Sequence, residues 1–110
     1  MKALLALPLT IAALALAPTA AADPMTDADK TDIAFVSVIG QHTSIPQPSA
    51  AKIIGLGKAV CEDLREGTSE YNEAAEIMVG FSKIGIDVSG ADAGYFVGAS
   101  EAAYCPEQHH

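Results

Sequence analysis

The chain has 110 residues, 50 % of them apolar, with 6 basic against 14 acidic side chains and a formal net charge of −8. That is enough for one small domain, and too little for a second domain, a (β/α)8 barrel or a doubly wound nucleotide-binding sheet. So acidic a chain repels phosphate, which argues against nucleic acid or an anionic membrane surface as partner.

In chain order, the first element reads as an address. Lys2 precedes an apolar run from Ala3 to Ala17 that only Pro8 and Thr10 interrupt. Pro18 and Thr19 end the run, and Ala20-Ala21-Ala22 supplies the small residues of a signal-peptidase site. The run falls short of the ~20 residues that span a bilayer. Residues 1–22 are therefore expected to be a cleaved signal peptide and residues 23–110 a single mature domain, secreted or held in the cell envelope. No cysteine stands at the junction to take a lipid, and no transmembrane segment is expected after cleavage. The part from Asp23 onward keeps 5 basic and all 14 acidic groups.

Four helices are expected beyond the leader. Thr26-Asp27-Ala28-Asp29 matches a capping box, and Asp27, Asp29 and Asp32 suit the positive end of a helix dipole. Ile33, Phe35, Val36 and Ile39 give that helix an apolar face, Gly40 weakens its end, and a loop from Gln41 to Pro48 follows, held out of helix by Pro46 and Pro48. Ser49 opens a second helix running to about Glu66, with Ile53, Gly57, Val60, Cys61 and Leu64 on its buried side and Gly67 as its stop. Thr68 or Ser69 caps a third, whose apolar stripe reads Tyr71, Ala74, Ala75, Met78 and Phe81 and which ends at Ile84 and Gly85. Ser89 caps a fourth, with Tyr95, Phe96, Ala99, Ala102 and Ala103 on its face and Pro106 closing it. Runs of β-branched residues with period two are absent, so the fold class is all-α.

The two cysteines, Cys61 and Cys105, allow one intramolecular pairing, and in an oxidising compartment a lone pair in a small domain forms a structural disulfide. Small residues recur four apart near each of them: Ala51, Gly55 and Ala59 on the second helix, Gly94, Gly98 and Ala102 on the fourth. Glycine inside a helix costs about 1 kcal/mol against alanine. The two stripes are therefore expected to mark a close, roughly parallel pairing of these helices, pinned at one end by the disulfide.

Candidate chemistry is sparse. The Asp27, Asp29 and Asp32 cluster lacks the glycine and the closing glutamate of a calcium-binding EF-hand loop. Glu70, Glu73 and Glu76 wind along the third helix and read as a solvated face or a partner surface rather than as acid–base catalysts. His42 falls in the loop after the first helix, and His109 and His110 read as a frayed tail. No nucleophile elbow, zinc-protease motif or phosphate-binding loop occurs. Tyr71, Tyr95 and Tyr104 with His42 would supply hard axial ligands for a haem, but Tyr71 and Tyr95 lie on stripes that a core needs in any case. No catalytic residue, metal ligand or cofactor is assigned, and the chain is expected not to be an enzyme.

Gly57-x-x-Val60-Cys61-x-x-Leu64-x-x-Gly67, then Ala93-x-Tyr95-Phe96-Val97-x-Ala99, then Tyr104-Cys105-Pro106, preceded by Asp32-x-x-Phe35, resemble the domain of unknown function 732 family. The resemblance runs from about Asp32 to Pro106. It implies a small secreted or envelope-associated helical protein of mycobacterial or related actinobacterial type, bridged between Cys61 and Cys105, and it brings no activity and no catalytic residue. Two functions remain open. One is a non-enzymatic envelope or host-facing interaction protein, and the alternative is an extracytoplasmic carrier of a small apolar ligand such as lipid or haem. The first calls for a solid interior with an exposed patch, the second for a sizeable apolar cavity.

Overall fold

Serine begins three of the four helices, for one physical reason. In the computed structural model, which describes residues 27–47 and 49–108, α1 spans Asp27–His42, α2 Ala50–Arg65, α3 Glu70–Ser82 and α4 Gly90–Tyr104, and a 3₁₀ turn follows at Pro106–Gln108. The hydroxyls of Ser49, Ser69 and Ser89 accept hydrogen bonds from the amides of Lys52, Asn72 and Asp92, 3.0 to 3.1 Å away. Each hydroxyl satisfies a backbone donor that the first helical turn leaves without a partner. The expected leader, Thr26 of the capping box, Pro48, His109 and His110 lie outside the described residues.

Glycine ends α2 and the turn after α3. Gly67 and Gly85 take φ values of 104° and 81°, the left-handed conformation that a side chain disfavours. Around Gly67, its own amide donates to Leu64 and that of Thr68 donates to Asp63. Around Gly85, the same pattern joins Gly85 to Ser82 and Ile86 to Phe81. Both are Schellman closures, which cap the last carbonyls and turn the chain back on itself.

Those two tight returns make α2, α3 and α4 run alternately up and down, so α2 and α4 are parallel. The disulfide between Cys61 and Cys105, with Cα atoms 5.7 Å apart, pins their C-terminal ends together. Helix α1 runs antiparallel to α4: Asp32 near its start bonds Tyr104 at the end of α4, and His42 at its end stacks on Tyr95. Helix α4 touches all three others, whereas α1 and α3 do not touch each other. A helix packed on three sides has little room for a polar face, and α4 accordingly buries Ala93, Phe96, Val97, Ser100 and Glu101.

Phe35 is the centre of the core. Its ring meets those of Phe96 and Tyr104 edge to face, at centroid distances of 5.4 and 5.2 Å. It fits because position 57 has no side chain: a β-carbon there would stand 2.6 Å from two of its ring atoms.

Several expectations need correction. The buried side of α2 is as expected, with Ile53, Gly57, Val60, Cys61 and Leu64 all inside. On α1, Phe35 and Ile39 are buried, but Ile33 is 59 % exposed, and the helix continues through His42, which is therefore not in the loop. On α3 the stripe is rotated in part: Glu73 and Ile77 are buried and Ala74 and Phe81 pack half-buried on the core as expected, while Tyr71 is 82 % exposed and Met78 37 % exposed. Tyr95 is likewise exposed, so neither tyrosine is a core residue. The small-residue stripes do not make the α2–α4 contact. A β-carbon at Gly55, Gly94 or Gly98 would meet nothing within 4 Å, and the close approach on α2 is at Gly57, first to Phe35 of α1 and then to Tyr104 of α4.

Candidate functional site

The stripe on α4 instead lines a hollow. Gly98, Ala99, Ala102 and Ala103 of α4 face Thr31, Ala34, Phe35 and Val38 of α1 across a broad apolar groove of about 600 Å³. Small side chains on both helices leave this groove open, because two such helices with few long side chains between them cannot fill it. Tyr95 closes one end, its ring stacked on His42 at 5.3 Å. Toward the other end the Tyr104 hydroxyl donates to Asp32 Oδ1 at 2.6 Å. Burial foremost, then the hydrogen bond and charge of Asp32, hold the Tyr104 hydroxyl well above the usual tyrosine range.

The C-terminal end is fastened to α2 by Arg65. Its Nε donates to Glu107 at 2.8 Å and its Nη2 donates to the Tyr104 carbonyl at 3.0 Å. The guanidinium, chiefly through that hydrogen bond, lowers the Glu107 carboxyl below its ordinary value. Lys58 lies over the Tyr104 ring, 5.6 Å from its centroid.

A second hollow lies on the other side, between α2 and α3, where Leu56 and Val60 face Ile77, Gly80 and Phe81 across about 340 Å³. At one end of it one carboxylate oxygen each from Asp63, Glu73 and Glu76 lie within 4.8 Å of one another. Glu73 is only 3 % exposed, against the expectation of a solvated face. Burial foremost, then the charge and hydrogen bond of Asp63 and the charge of Glu76, push its carboxyl up to about 7. The Asp63–Glu73 pair therefore holds a proton that an isolated glutamate would have released.

The residues singled out in the sequence are only partly brought together. Cys61 and Cys105 are bonded. Asp27 and Asp29 are exposed, and Asp32 is engaged with Tyr104 rather than clustered with them for a metal. His42 meets Tyr95, but Tyr71 stands on α3, which α1 does not touch, so no shared haem pocket assembles from these three. The burial of Glu73 and Glu101 escaped the sequence reading. For Glu73 a signal existed: Glu73, Ile77 and Phe81 stand four apart, a stripe as regular as the one through Tyr71.

No curated protein and no solved structure matches this chain. The family model described as "Protein of unknown function (DUF732)" matches residues 28–107, from the first turn of α1 to the 3₁₀ turn and with both cysteines inside, and the chain belongs to that family.

Proposed function

We propose that this chain is an exported, non-enzymatic interaction domain of the cell envelope, whose groove between α1 and α4 receives an apolar helix with basic flanks from a partner protein. The observation that carries this reading is the groove's lining. Ala34, Gly98, Ala99, Ala102 and Ala103 present almost no side chain, and such surfaces let another helix backbone approach closely. The occupant's basic flanks follow from charge: from Asp23 onward the chain holds 14 acidic and 5 basic groups. Export is supported by the leader-like composition of residues 1–22 and by the disulfide, a bond favoured outside the reducing cytoplasm. Among the described residues no helix is long and apolar enough to cross a membrane.

The carrier reading finds less support. A carrier encloses most of its ligand, whereas both hollows described are open grooves and the core around Phe35 is tight.

Site-specific photo-crosslinking in an actinobacterial host tests the proposal. A crosslinker at Ala102, in the groove, should give a discrete protein adduct whose captured peptide is an apolar helix, and Ala102→Arg should abolish binding of that peptide. A crosslinker at Gly55, exposed on α2, should give none. The released protein should begin at Asp23. Equal adducts from both positions would overturn the groove assignment. A ligand mass lost on denaturation, with no protein adduct, would turn the assignment to a carrier.

A further inference from the structure

We propose that Asp63, Glu73 and Glu76 bind a hard divalent cation of the calcium class, which clamps α2 to α3 near the closed end of their hairpin.

Geometry comes first. Oxygens that share one calcium at 2.3–2.6 Å stand no more than about 5 Å apart, and one oxygen from each of these three carboxylates already lies within 4.8 Å of the others. The donors come from two helices. Asp63 sits two residues before the end of α2, and Glu73 and Glu76 lie in the first two turns of α3. A three-residue spacing puts both glutamates on the side of α3 that faces Asp63. An ion held there would bridge the two helices just beyond the Gly67 turn, before the apolar groove opens between them.

The second observation is independent of the clustering. Glu73 is buried, and its Oε2 is shut off from solvent with no hydrogen-bond partner. A buried carboxylate oxygen left without a partner is costly. A helix surface that only needed solubility would have turned this side chain outward. No basic side chain forms an ion pair with it among the described residues, and Arg65 is paired with Glu107. A bound cation would satisfy the orphaned oxygen and the mutual repulsion at once.

The chemistry of the donors sets the class of ion. Three carboxylates with no histidine or cysteine favour a hard ion over zinc or copper. Access is built in: Glu73 closes the inner side, Asp63 is half-buried and Glu76 is exposed. An ion can therefore enter from solvent and keep several waters to complete its six to eight oxygens. Sites of this kind in extracellular modules bind calcium at ~10⁻⁴–10⁻³ M.

The test is calorimetric titration of the disulfide-bonded, chelator-treated protein with calcium chloride, with sodium chloride at matched ionic strength as the control. One saturable site per chain is expected, and ~10 mM calcium should raise the folded-to-unfolded ratio about 10- to 100-fold. Glu73→Gln should lose the site, and Asp27→Asn should keep it. Should Glu73→Gln fail to fold, Glu76→Gln, altered on the exposed side, should fold and bind at least several-fold more weakly. The proposal is overturned by the absence of saturable calcium binding to the folded wild type. It is equally overturned if calcium binds Glu73→Gln or Glu76→Gln as tightly as it binds the wild type.

Discussion

Phe35 occupies the space that a side chain at position 57 would need. With a β-carbon at Gly57, two ring atoms of Phe35 would lie 2.6 Å away and Tyr104 would lie 3.2 Å away. That single absence lets α1 settle against α2, and lets the Phe35 ring reach both Phe96 and Tyr104 on α4. Gly55, one half-turn away, has nothing within 4 Å.

These two glycines should therefore respond oppositely to the same substitution. Gly57→Ala overpacks the core and should cost about 1–3 kcal/mol. Gly55→Ala removes backbone freedom from the unfolded chain without a clash and should stabilise by roughly 0.5–1 kcal/mol. Urea unfolding of both variants reads the contrast directly. Equal destabilisation would show that the Gly57–Phe35 contact is not what fixes α1.

The bridge between Cys61 and Cys105 spans 44 positions in sequence and joins two helix ends. Replacing both cysteines by serine should lower stability by about 2–5 kcal/mol, as expected for a native disulfide in a small domain. Arg65 should become more important in that background. It also ties the end of α2 to the C-terminal segment, through Glu107 and the Tyr104 carbonyl. Thermal melts of the double serine variant with and without Arg65→Ala would reveal the coupling as a departure from additivity.

Tyr104 and Asp32 are 72 residues apart in the chain and 2.6 Å apart in the fold. Hydrogen bonds to a charged group contribute about 1.5–3 kcal/mol when well formed, and partial exposure puts this one at the lower end. Tyr104→Phe should cost ~1–2 kcal/mol. Asp32→Asn should cost less than that, since its amide oxygen still accepts. A double-mutant cycle with Asp32→Ala should return a coupling energy near the Tyr104→Phe value, and no coupling would mean that the two helices are held by packing alone.

The carboxyl of Glu73 makes stability depend on pH with a definite sign. In metal-free protein it titrates at about 7, against 4.5 in the ordinary state. The folded form thus holds a proton that the unfolded form gives up. Its contribution is fully present below about pH 4.5 and is lost as pH rises through 7, by up to ~3 kcal/mol. Asp63 from α2 and Glu76 from α3 face it, both negative, so neither reverses that sign. Glu73→Gln, with no proton to lose, should show a flatter profile between pH 5 and 8. Urea midpoints across that range decide it, and parallel profiles for wild type and variant would show that Glu73 does not titrate there.

Local chemistry was legible in the residues themselves. Ser49 and Ser89 were legible as helix caps, as was Thr68 or Ser69 for α3, because a hydroxyl followed by helix-forming residues is the cheapest partner for orphaned amides. Gly67 and Gly85 were legible as the turns after α2 and α3, because other residues resist a positive φ. The buried face of α2 was legible as well, since one stripe of that helix is clearly more apolar than the rest, and two cysteines permit one pairing. Helices α3 and α4 were different. Apolar and small residues surround most of each, so several stripes fit the 3.6-residue period equally well, and the choice among them depends on which neighbours arrive. The Schellman turns and the disulfide orient α3 so that Glu73 and Ile77 point inward and Tyr71 points out. They also bring α4 between three helices, leaving Gly98 and Ala102 to line a groove beside α1 instead of a seam with α2. The sequence alone determined where α2, α3 and α4 begin and where glycine turns the chain after α2 and α3, because caps and turns are contacts among neighbours in the chain. Only the tertiary structure decided which faces of α3 and α4 are buried and that three carboxylates meet, because those depend on contacts between segments the chain order leaves far apart.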